Sequence, residues 1–266
     1  MHVIENDVKW AIEHGIGVFT QAPQLDIFGP MPTWTTWETA YRLSKCVIIF
    51  DCVKFAWKRE RMKIFEWTCA ELAEEMKRRY GKGMYHAAAV YRQVFKKGTP
   101  SSNAFVQELG NSMSLATKIA EDIRFPACRI VFRQEEGEIS KLAVALPDGH
   151  LVESVLIFSN GRTTQCVSSQ VGCRMGCKFC VTGEMGFVRD LTVEEIVWQV
   201  YAARFELGRS IDNVVFMGMG EPLDNFDNVV QAVRVMQDQR GLDIACSHIT
   251  LRSEERRVGK ECRSRW

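Results

Sequence analysis

Three cysteines spaced Cys173-x3-Cys177-x2-Cys180 constrain this chain more than any other feature. They sit in a loop with Gly172 and Gly176, directly after an apolar segment. Three thiolates can hold three corners of a cubane iron–sulfur cluster and leave the fourth iron open to another ligand. Closed structural sites normally show four ligands, often as two C-x2-C pairs. Zinc is the plain alternative, and the ligand count disfavours it.

The 266 residues are 46% hydrophobic, enough for a core in one large domain or two smaller ones. No run of about 18 apolar residues occurs, so no membrane span is expected. The N-terminus lacks a basic region followed by an apolar core, so no secretory signal is expected either. Of ten cysteines, three cluster at metal spacing and the rest scatter, which fits a reducing cytoplasm better than a disulfide framework. A net charge of +1 makes no overall electrostatic case for nucleic acid, and any such contact needs a local patch.

Both ends differ from the middle. Residues 252–266 lack an apolar period and resemble the translation of a sequencing adapter, so native sequence is expected to stop at Leu251. That tail carries six Lys/Arg against three Asp/Glu, which turns +1 into −2 for the rest. Residues 1–61 hold four of the seven tryptophans and Pro23, Pro30 and Pro32, with no clean helix or strand series. They read as an upstream extension ahead of a natural start at Met62.

From Met62 the pattern becomes regular. Thr68 and Glu71 form a capping box, flanked by the staple pair Trp67 and Leu72, and the helix should stop at Tyr80-Gly81. A second helix is expected over 85–97, ending at Gly98-Thr99-Pro100, and two short ones over 101–110 and 114–122. Arg78, Arg79, Arg92, Lys96 and Lys97 give this module, residues 62–125, a basic side. Such charges are commonly a solvated face, and RNA contact is the sharper alternative. Residues 126–160 should form a three-stranded antiparallel meander, with strands at 129–134, 141–146 and 151–158 and a turn at Pro147-Asp148-Gly149. Glu153 shares a face with Leu151, Val155 and Ile157. It lies either at a solvated edge, which the strand alone favours, or in an apolar site suited to a general acid or base.

Residues 163–168 should be a strand leading into the cysteine loop, with Cys166 a small buried residue within it. Thr192 and Glu195 cap a further helix running to about Leu207, with Ile196, Val197, Val200 and Tyr201 inward and Gly208 closing it. A short strand over 213–217 leads into Gly218-Met219-Gly220-Glu221-Pro222. A helix follows from Asn225 or Asp227 to Gly241, then a strand at 247–251. The fold class is α/β: this alternation implies parallel strands with right-handed crossovers, in a barrel or doubly wound sheet. Ligands in such folds gather at the C-terminal strand ends, where both loops lie. The glycines let backbone approach a ligand, and Glu221 can pair with an amine.

Together the cysteine spacing and the Gly218–Pro222 loop resemble the radical S-adenosylmethionine (SAM) superfamily. The string Cys166-Val167-Ser168-Ser169-Gln170-Val171-Gly172-Cys173, with Met185-Gly186-Phe187 and Met217-Gly218-Met219-Gly220-Glu221-Pro222, resembles the RlmN-type adenosine C2 methyltransferases of bacterial ribosomal and transfer RNA. The resemblance covers residues 62–251. It implies a partial radical SAM (βα) barrel over 161–251, preceded by the helical accessory module and the meander. It implies a 4Fe-4S cluster on Cys173, Cys177 and Cys180, and S-adenosylmethionine bound by Gly220 and Glu221 with its adenine against Phe179. Glu153 matches the catalytic proton acceptor, which reverses the edge-strand preference, and Cys166 the resolving cysteine.

The mechanism implied has two stages. One S-adenosylmethionine methylates a second cysteine, and another yields a deoxyadenosyl radical that takes hydrogen from that methyl group. The methylene radical then adds to C2 of adenosine, and the adduct resolves through Cys166. Ribosomal RNA and tRNA are the implied substrates, with an electron donor such as flavodoxin or ferredoxin, and the protein a monomer. The sequence departs from the family after Leu251, where Arg252 replaces a cofactor-contacting serine. The methyl-carrying cysteine is not matched, and Cys262 is no substitute, so the chain as written is not expected to turn over. The alternatives are a sister enzyme methylating C8, or a non-catalytic Fe-S or RNA-binding fragment.

Overall fold

The Thr68 side chain accepts the Glu71 N–H, and the Glu71 carboxylate accepts the Thr68 N–H at 2.7 Å. This reciprocal cap satisfies two orphan donors and starts helix α1 (Cys69–Tyr80), which Gly81 ends in the left-handed region. The computed structural model describes residues 61–99, 101–109, 112–178 and 180–253. The chain divides into units 1–58 and 59–266, and every described residue lies in the second. The expectations for residues 1–60 and 254–266 therefore lie outside the described residues.

Helices α2 (Met84–Phe95), α3 (Ser102–Glu108) and α4 (Met113–Asp122) complete the helical module. Its core holds Leu72, Met76, Tyr91, Phe95, Phe105 and Ile119, all fully buried. The five residues expected to form its basic side are matched by carboxylates. Arg78 and Arg79 meet Glu75, Arg92 and Lys97 meet Glu108, and Lys96 meets Asp243.

Strands β1 (Arg129–Glu136), β2 (Ile139–Ala145) and β3 (Leu151–Ser159) form the expected meander. It does not stand apart from the parallel strands. β3 pairs antiparallel with β4 (Arg162–Cys166), and β4 pairs parallel with β7 (Asn213–Phe216) and β7 with β8 (Ile249–Leu251), so one six-stranded sheet runs β1-β2-β3-β4-β7-β8. The link is a two-residue hairpin at Asn160-Gly161, both at positive φ (51° and 73°), as this turn type requires. β3 is thus an interior strand and Glu153 is exposed on its open sheet face, so it stands neither at a strand edge nor in an enclosed apolar site, the two alternatives the sequence offered.

Helix α6 (Val193–Phe205) carries its own capping box at Thr192 and Glu195. It is buried on all sides from Val193 to Ala203, beyond the four inward residues expected. One flank packs on the sheet, where Ala203 meets Leu142 and Leu156. The other meets the helical module, where the Tyr201 ring lies 5.0 Å from Phe65. Helix α7 (Phe226–Gln237) packs beside it and ends before Gly241. Gly241 is no helix stop: a Cβ there would lie 2.5 Å from the Tyr91 ring, so glycine is needed for packing.

Candidate active site

Short strands β5 (Gln170–Gly172) and β6 (Phe187–Asp190), unforeseen from the sequence, form a ribbon at the base of the cysteine loop. Its tightest point is Gly172, at φ 74°, where a Cβ would meet the Gly186 carbonyl oxygen at 1.7 Å. The Cys173 N–H donates to that same carbonyl at 3.0 Å, so Gly172 and Gly186 fix where the first thiol begins. A one-turn helix α5 (Val181–Glu184) follows the third cysteine. Arg174 leaves the loop to pair with Asp224 at 2.8 Å, with its guanidinium 4.0 Å above the Phe187 ring.

Cys173, Cys177 and Cys180 are all half-buried. Burial pushes the Cys173 thiol up, and charges on Cys177, Cys180 and Glu221 push the same way, which records their proximity. Among the described residues, no three His, Cys, Asp or Glu side chains stand close enough to share one metal ion. A tetrahedral zinc would draw thiolates to about 3.8 Å of one another, from Zn–S of about 2.3 Å. Ligands to a cubane each bind a different iron and stand farther apart. Three half-buried thiols on one short loop are the donors that an iron–sulfur cube with one open iron takes. Phe179, expected against the cofactor's adenine, lies outside the described residues.

The loop Gly218–Pro222 is pressed onto residues 167–170. The Met219 carbonyl accepts the N–H groups of Ser169 and Gln170, and the Gln170 side chain accepts the Glu221 N–H at 2.8 Å while donating to Asp190 at 2.8 Å. A Cβ at Gly218 would lie 2.7 Å from Ser168 Oγ, and one at Gly220 (φ 100°) would lie 2.5 Å from Gln170 Cβ. Both glycines thus admit the protein's own strand, a close approach the sequence reading did not foresee. Gln170 ties the Gly218–Pro222 loop to Asp190, a contact the sequence reading missed; its signal was a polar side chain in a strand between two glycine loops. Glu221 is buried, and its carboxylate accepts the Leu223 N–H at 3.0 Å. Asn225 caps α7 by position only. Its amide instead ties the carbonyls of Ser169 and Leu191, each at 2.8 Å.

Glu153 and Cys166 share the open sheet face. Cys166 is paired with Val155, so Glu153 is its diagonal neighbour, about 7–8 Å away in such ladders. Burial pushes the Cys166 thiol up, the Met217 N–H opposes this, and the Glu153 charge adds to it. Both residues stand at the sheet end from which the two loops leave. The structure thus gathers a carboxylate, a thiol, a buried glutamate and a three-thiol loop at the C-terminal ends of β4 and β7, where α/β folds bind ligands.

That arrangement defines a class. Residues 167–261 match the radical SAM superfamily model. A crystal structure of a radical SAM methyltransferase from Sphaerobacter thermophilus aligns with a TM-score of 0.63 and 34% identity, over 71% of this chain and 56% of that one. The Dual-specificity RNA methyltransferase RlmN of Syntrophobacter fumaroxidans is 38% identical over 210 residues, 76% of this chain and 60% of that protein. The same-named protein of Nitratidesulfovibrio vulgaris is 39% identical over 201 residues, 71% of this chain and 54% of its own length. Motif, domain match and relatives agree that this is a radical SAM chain of the RlmN type. It spans about half the length of the curated relatives it matches. Radical SAM methyltransferases use a 4Fe-4S cluster and S-adenosylmethionine. Among the described residues, no helix is long and apolar enough to cross a membrane.

Proposed function

We propose that the whole protein methylates C2 of adenosine in ribosomal RNA and tRNA by way of a methylated cysteine. The observation that carries this is the placement of Glu153 and Cys166 as diagonal neighbours on one open sheet face beside the cysteine loop. Cys173, Cys177 and Cys180 would hold the cluster and leave one iron free for S-adenosylmethionine. Gly220 and Glu221 would bind that cofactor, and Phe179 is the residue assigned to its adenine. When bound, cluster and cofactor together supply the methyl group and the radical chemistry that an unactivated aromatic carbon demands. An electron-transfer protein such as flavodoxin or ferredoxin supplies the electron.

Glu153 takes the proton from the substituted C2, and its exposed position leaves it open to a base drawn out of its stack. Cys166, kept as a thiol by burial, gives up its proton and attacks the sulfur of the methyl-carrying cysteine; the S–S bond forms as that sulfur's bond to the adduct carbon breaks, and the carbon leaves with the electron pair and takes up a proton to become the methyl group. That second cysteine is assigned to no described residue, so the test is read on a partial reaction. Anaerobically reconstituted and reduced protein should cleave S-adenosylmethionine to methionine and 5′-deoxyadenosine, and Cys177→Ala should abolish this. A full cluster without cleavage counts against the proposal. With the whole protein, nucleoside mass spectrometry of treated RNA should give 2-methyladenosine, and 8-methyladenosine would support the C8 alternative.

A further inference from the structure

β4 turns away from β3 just where Glu153 needs a partner. Their register pairs Val155 with Cys166 and Leu156 with Gln165, so two further steps would pair Ser154 with Val167 and Glu153 with Ser168. That backbone pair does not form. The Ser168 N–H donates to Gln199 Oε1 at 2.9 Å, and the Ser168 carbonyl accepts from Gln199 Nε2 at 3.0 Å. Backbone groups of an interior strand cannot be left unpaired, and here a side chain takes over. The buried Ser168 hydroxyl donates to the Glu153 carbonyl at 2.6 Å. The same oxygen accepts the Met219 N–H at 2.9 Å, and Met219 Sδ accepts the Glu153 N–H at 3.4 Å. Three residues thus close a ring of contacts between the β3 peptide and the Gly218–Pro222 loop.

We propose that Ser168 is a positioning residue: its hydroxyl couples the Gly218–Pro222 loop to Glu153, so that what happens in that loop sets where the Glu153 carboxylate stands. This rests on the assignment of Glu153 as proton acceptor and of the loop as cofactor site. Its consequence is that the proton acceptor is aligned only when the loop is in its bound arrangement.

The test uses the full chain without cofactor, so it is independent of turnover. Two signals are followed by NMR: the exchange rate of the Met219 amide and the side-chain carboxyl ¹³C resonance of Glu153. Ser168→Ala should speed Met219 exchange on the order of 10-fold, from loss of one buried hydrogen bond. Glu221→Gln, made within the loop, should displace the Glu153 resonance in the parent chain and leave it unmoved in the Ser168→Ala background. Ser168→Thr, which restores a hydroxyl, should restore both responses. Should Ser168→Ala not fold, Ser168→Cys, similar in size with a weaker donor, should show a reduced response. Unchanged Met219 exchange, or a Glu153 resonance that answers Glu221→Gln equally with and without the hydroxyl, overturns the proposal. Failure of S-adenosylmethionine cleavage with this coupling intact would instead count against the assigned function.

Discussion

Gln199→Leu removes the support on which Ser168 rests. Gln199 is 1% exposed, and its amide satisfies both backbone groups of Ser168, itself fully buried. Leucine has nearly the same volume, so little cavity forms, and the cost is polar. Each buried group left without a partner costs about 1–3 kcal/mol. Two such groups give about 2–6 kcal/mol, and slight relaxation toward β3 places the expectation near ~3 kcal/mol. For a domain of this size, that corresponds to a drop of roughly 6–12 °C in Tm. Urea unfolding of the metal-free chain under reductant, followed by circular dichroism with the slope m unchanged, measures it. Gln199→Glu should cost at least as much, since a carboxylate cannot donate to the Ser168 carbonyl and carries a charge into the core. A loss below about 1 kcal/mol for Gln199→Leu would refute the claim that this side chain replaces a strand.

Gly172→Ala should abolish stable cluster incorporation, read as iron per chain, because its Cβ would overlap the Gly186 carbonyl oxygen at 1.7 Å and φ is 74°. Acid stability should respond to Glu75, whose carboxyl Arg78 and then Arg79 hold down to about 2. Its contribution is full above the ordinary carboxylate value and disappears as pH falls toward 2, so Glu75→Gln should flatten the Tm profile between about pH 4.3 and 2. Replacing Arg92, Lys96 and Lys97 together by Gln should alter the salt slope of RNA binding by well under about 0.9 per cation, since Glu108 and Asp243 already engage all three.

Much of this molecule is legible where the determinants are local. The boxes at Thr68 and Thr192 announce their helices because cap and partner lie three residues apart. The cysteine and Gly218–Pro222 loops are legible because ligand chemistry demands fixed residue types at short spacing. The Asn160-Gly161 hairpin was readable in principle and joins the meander to the parallel strands. The β5–β6 ribbon was not, because strands of three and four residues carry no period and are held by the Gly172–Gly186 approach. Glu194, Glu195 and Gln199 look solvent-facing on α6, yet all are buried, since the helix is enclosed between sheet and helical module. Glu153 stood out only as a carboxylate among apolar neighbours. Its role came from the resemblance, and the Ser168 contact that seats it depends on a strand turning away, which no linear pattern records.

Electron paramagnetic resonance of the anaerobically reconstituted, reduced chain, with and without S-adenosylmethionine, tests the central claim most directly. About four irons per chain and a signal that shifts when the cofactor is added are expected of an open-cornered cube on Cys173, Cys177 and Cys180. One zinc per chain, or an iron signal indifferent to S-adenosylmethionine, would contradict it.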